Sequence, residues 1–100
     1  MTNQSLKTPL TEEQINEITD MARLFFSPED IAVNIGLPVE DFKLHLISQE
    51  GPVFVAFKKG WLLGEIPLRK AIARAAENGS NPAQVKMLEL KTDAESRFHL

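Results

Sequence analysis

The sequence predicts an all-α fold: a small helical domain of about five helices, in which a helix-turn-helix unit is followed by a helical hairpin. Three observations predict it. Apolar residues recur every three or four positions through most of the chain. Oxygen-bearing residues followed by proline or by glutamine three positions on mark successive helix starts. Gly36, the Gly51-Pro52 pair and Asn78-Gly79 then separate the helical stretches.

The first ten residues are polar, carry Pro9 and are expected to form a loose tail. Thr11 opens a capping-box pattern with Gln14, and Ile15, Ile18, Ala22 and Phe25, with Met21 beside them, give an amphipathic helix over 12–25. Ser27-Pro28 supplies the next start, with Glu29 and Asp30 in the first turn where exposed amide dipoles favour carboxylates. Ile31, Ala32 and Ile35 form the inner face of that helix, and Gly36 ends it. Leu37 packs back, Pro38 opens a third helix over 38–48, and Phe42 and Leu46 are its inner stripe.

After Gly51-Pro52, a helical face is expected from Phe54, Phe57, Trp61, Leu68 and Ile72, with Trp61 in the core. Pro67 cannot donate to the residue four back, so a kink or short break is expected near Glu65–Pro67. Asn81-Pro82-Ala83-Gln84 reads as the cap of a last helix, docked by Val85, Met87 and Leu88 and fading after about Lys91. One helical domain is thus expected over 11–92, with the helix-turn-helix at 28–48, the hairpin at about 53–91, and frayed residues at 93–100.

Composition narrows the function. The chain has 100 residues, 43% apolar and 25% charged, as expected of one globular domain. It has no cysteine, so disulfides and thiolate ligands are excluded. No apolar run approaches a membrane span, and the first residues do not read as a secretion signal, so a cytoplasmic location is expected. Enzymatic activity is not expected. His45 and His99 lack metal-ligand spacing, and Gly60 and Gly64 lack the Lys-Ser/Thr end of a phosphate loop. No cofactor is implied.

Charge is unevenly distributed. Net charge is −6 over residues 1–57, +4 over 58–74 and −1 over the rest. The helix that would read DNA in a helix-turn-helix carries Glu40 and Asp41 against Lys43. Its outward side chains are expected to be Glu40, Asp41, Lys43, His45, Ser48 and Gln49, with Ala32, Gly36, Leu37 and Phe42 packing the motif. One lysine positions a duplex poorly, because each phosphate contact adds only an increment. Lys58, Lys59, Arg69, Lys70 and Arg74 are therefore the candidates for bracing the backbone, Lys70 and Arg74 sharing a helix face. Val53, Val55, Leu62, Leu63 and Ile66 fall partly off the expected core stripe and suggest self-association.

FFSPEDIAVNIGLPVEDF, the Gly-Pro break, KKGWLLGE and LRKAIARAAENGSNPAQVKMLEL together resemble the small terminase subunits of tailed phages and their prophage relatives, over about residues 22–92. That resemblance implies a homeodomain-like helix-turn-helix and a non-catalytic role in DNA packaging. It also implies double-stranded DNA as ligand, assembly into homo-oligomers and a terminase large subunit as partner. Carried onto this chain, Ala32, Gly36 and Phe42 would pack the motif, Lys43 and His45 would lie on the helix facing DNA, and Arg69, Lys70 and Arg74 on the helix after it. Two other readings compete: a small helix-turn-helix transcriptional regulator, and a helical protein-interaction module that never touches DNA.

Overall fold

The computed structural model describes residues 10–98, and the described residues are all-helical. Five helices follow in order: α1 (Glu12–Arg23), α2 (Pro28–Ile35), α3 (Val39–Ser48), α4 (Gly51–Glu77) and α5 (Asn81–Arg97). Of the tail expected over residues 1–10, residues 1–9 lie outside the described residues, as do His99 and Leu100, while Leu10 packs against the core. The chain divides into two compact units between Glu65 and Ile66, so α4 contributes to both.

Each helix of the first unit starts and stops for a local reason. At α1, Thr11 Oγ1 accepts from the Gln14 amide at 3.0 Å while Gln14 Oε1 accepts from the Thr11 amide at 2.9 Å. Gln14 Nε2 then donates to the Ile35 carbonyl at 2.9 Å, tying the start of α1 to the end of α2. At α2, Ser27 Oγ accepts from the Asp30 amide at 3.1 Å, with Pro28 in the first turn. Gly36 ends α2 at φ 82, a left-handed conformation in which the Leu37 amide reaches the Ala32 carbonyl.

Helix α1 stops two residues earlier than the apolar spacing suggested. Phe25 adopts φ 65 and lies beyond the helix, its amide donating to the Ala22 carbonyl while the Phe26 amide donates to Met21. Such a turn ordinarily takes glycine, and the left-handed backbone costs an L-residue about 1–2 kcal/mol. The Phe25 ring meets Trp61 edge-on at 4.7 Å, a contact of about 0.5–1.5 kcal/mol that offsets this cost.

Ile18, Ala22, Ile31, Ala32, Ile35, Phe42, Val53 and Ala56 form the core, all within the first unit. Ala32 and Phe42 are fully buried, and Leu37 packs against the cluster. Helix α4 faces this core through Val53, Ala56 and Gly60, one register away from the expected Phe54–Phe57–Trp61 stripe. Small residues occupy the contact because α4 crosses α1 closely. A Cβ on Gly60 would overlap the Thr19 carbonyl oxygen and one on Gly64 the Arg23 carbonyl oxygen. Trp61 is consequently not a core residue: it remains 38% exposed at the rim, stacked on Phe57 with ring centroids 6.4 Å apart.

Of the kink or short break expected near Glu65–Pro67, the break is absent: α4 is continuous through Pro67. Pro67 withholds one hydrogen bond from the Leu63 carbonyl, but good helix formers on both sides keep the cooperative helix intact.

In the second unit, α4 ends at Gly79, whose φ is 97, with the Ser80 amide donating to the Ala75 carbonyl. The cap of α5 is Ser80 rather than Asn81: its Oγ accepts from the Ala83 amide at 3.3 Å. Gln84 instead donates to the Ala76 carbonyl at 3.0 Å, joining the two arms of the hairpin. Half-buried Ala83, Met87, Leu90 and Ala94 recur at spacings of four and three along α5. Helix α5 continues past Lys91 to Arg97, supported by the Lys91–Glu95 and Asp93–Arg97 pairs four residues apart.

Candidate nucleic-acid interface

The exterior of α3 differs from the sequence expectation. Phe42 and Leu46 turn inward, which leaves Glu40, Leu44, Ile47 and Ser48 exposed along the opposite side. Leu44 and Ile47 are 59% and 75% exposed and were not among the candidates, although both fall off the Phe42–Leu46 stripe. That offset was the available signal.

All four of the proposed DNA-facing residues on this helix are partly buried or otherwise engaged. Lys43 is half-buried and pairs with Glu29 of α2 at 3.2 Å. His45 is also half-buried, and its Nε2 is buried without a hydrogen-bond partner among the described residues, so that nitrogen does not face solvent. Gln49 is exposed but serves as the left-handed cap of α3 at φ 59. Ser48 is exposed, yet its hydroxyl donates to the His45 carbonyl at 2.8 Å. Asp41, expected to point outward, is half-buried.

The cations therefore sort by helix. Lys43 of α3 has Glu29, and on α5 Lys86, Lys91 and Arg97 pair with Glu89, Glu95 and Asp93. Arg23 of α1, and on α4 Lys58 and Lys59 in the first unit and Lys70 and Arg74 in the second, are exposed and have no ion pair among the described residues. Arg69 lies on the same helix and is also exposed. Lys70 and Arg74 stand one turn apart on one face of α4. Exposed pairs such as those on α5 contribute about 0.2–1 kcal/mol each, so their main effect is to neutralise charge locally.

Of the proposed assembly residues, Val53 is buried in the core at 1% exposure and is not available to a partner. It belongs to the side of α4 that turns to the core cluster with Ala56 and Gly60. Val55, Leu62, Leu63 and Ile66 are exposed. A groove of about 340 Å³ lies in the first unit between α3 and α4, lined by Leu46, Phe54, Phe57, Lys58 and Trp61. Among the described residues no cluster of His, Asp or Glu is arranged to hold a metal ion, and no helix is long and apolar enough to cross a membrane.

The described residues thus form an all-α structure whose third helix is acidic and apolar outside. No family model matches the chain, and no curated protein or solved structure is significantly similar to it.

Proposed function

We propose that this protein is a non-catalytic DNA-binding accessory protein, resembling a phage terminase small subunit, that acts on double-stranded DNA as an assembly of copies in the cytoplasm of a bacterial or phage-infected cell. A terminase large subunit is the partner this reading implies. The observation that carries it is the sorting of cations: those of α3 and α5 are paired with carboxylates, while Lys70 and Arg74, together on the second-unit part of α4, carry no such partner among the described residues. Unneutralised cations on one helix are what phosphate contact requires, and they attract a duplex without reading its sequence. Helix α4, and not the acidic α3, is then the element that meets the backbone.

Fluorescence anisotropy with a labelled duplex at low salt tests this reading. Lys70→Glu with Arg74→Glu, both exposed positions, is expected to abolish retention of the duplex while leaving the helical circular dichroism unchanged. Retention equal to that of the unaltered protein would overturn the role given to α4.

One observation favours a second reading, a protein-interaction module. The outer face of α3 carries Leu44 and Ile47 where a DNA-reading helix would carry hydrogen-bonding side chains. On that reading the unaltered protein retains no duplex even at low salt, so the same titration separates the two.

A further inference from the structure

Two exposed faces of the first unit are apolar along the middle and opposite in charge. On α3, Glu40, Leu44 and Ile47 follow one another at spacings of four and three, and Glu50 is exposed just beyond the helix. The nearest cation, Lys43, is already held by Glu29. On α4, Val55 and Leu62 stand two turns apart and are 58% and 42% exposed. Between them lie Lys58 and Lys59, exposed and without an ion pair among the described residues. One face is an apolar stripe with carboxylates, the other an apolar stripe with ammonium groups.

We propose that each face is the other's partner in a second copy of the chain: the outer face of α3 in one copy docks on the Val55–Leu62 face of α4 in the next. Charge complementarity selects this occupant. Glu40 and Glu50 repel a phosphate backbone, and no lysine or arginine on α3 is free to counter them. The same carboxylates complement Lys58 and Lys59, and opposed charges fix register and orientation across an interface. Leu44 and Ile47 against Val55 and Leu62 supply the apolar centre. Made reciprocally the contact gives a two-fold dimer, and made with a different neighbour at each face it gives a ring or a filament. In this arrangement the second helix of a helix-turn-helix is an assembly surface. The inference does not depend on DNA binding, and its test contains no DNA.

Light scattering coupled to size exclusion reads the outcome from three proteins. The unaltered chain is expected to assemble. Glu40→Lys with Glu50→Lys makes both faces positive, Lys58→Glu with Lys59→Glu makes both negative, and each variant alone is expected to run at the monomer mass. Mixed one to one, they are expected to recover the assembled mass, because each variant's α3 then meets an oppositely charged α4. Recovery on mixing also shows that both variants are folded. An unaltered chain that stays monomeric at high concentration would overturn the proposal. So would variants that assemble alone, or a mixture that remains monomeric.

Discussion

Gly60 shows how much a single missing side chain decides. In an exposed helix, replacing glycine by alanine stabilises by about 1 kcal/mol, because alanine loses less backbone freedom on folding. At Gly60 the added Cβ would overlap the Thr19 carbonyl oxygen and press on the Ala22 Cβ at 2.9 Å. Backbone atoms have little room to give, so overpacking prevails and the sign reverses. Gly60→Ala is expected to destabilise the protein by about 1–3 kcal/mol, read as a lowered urea midpoint. A raised midpoint would show that α1 and α4 do not approach as closely as described. The sequence displayed Gly60 and Gly64 four residues apart and showed that they form no phosphate loop. It did not disclose their use, because a close helix crossing depends on which face of α4 meets α1. Trp61 follows from the same fact: once Gly60 occupies the contact, its neighbour is turned to the rim.

Among the elements, α4 departs furthest from expectation. Caps, glycine stops and the inner faces of α2 and α3 were legible because they depend on neighbours a few residues away. Thr11–Gln14, Ser27–Pro28 and Gly36 are found in the roles their spacing indicates. Pro67 was misleading for the same reason: a local rule breaks the helix there, whereas hydrogen bonds on both sides carry it through. The proline still withholds one backbone bond and crowds the Leu63 carbonyl. Pro67→Ala is therefore expected to stabilise α4 by as much as about 3 kcal/mol, visible as a raised thermal midpoint with unchanged helix content. An unchanged or lowered midpoint would mean that the proline ring makes compensating contacts. Similarly, the outer stripe of α3 could be deduced from the Phe42–Leu46 spacing, but the engagement of Lys43 by Glu29 required the packing of α2 on α3.

At the scale of the whole molecule, assembly and DNA binding are linked by number. Within an assembly each copy keeps Lys70 and Arg74 of α4 outside the proposed α3–α4 contact, and two phosphate contacts hold a duplex weakly at ordinary salt. Copies joined through α3 and α4 present the same pair repeatedly, and each later contact forms at high effective concentration. Ile47→Gln separates the two effects, since it removes an exposed apolar anchor of the proposed contact and leaves every cation in place. That variant is expected to run as a monomer and to bind duplex about 10²–10⁴-fold more weakly. Its plot of log affinity against log salt is expected to flatten, because one copy contacts fewer phosphates than an assembly does. If Ile47 instead touched base edges, affinity would fall with the salt slope unchanged, because an apolar contact releases no counterions. The slope, more than the affinity, therefore determines whether α3 joins copies of the chain or reads the duplex.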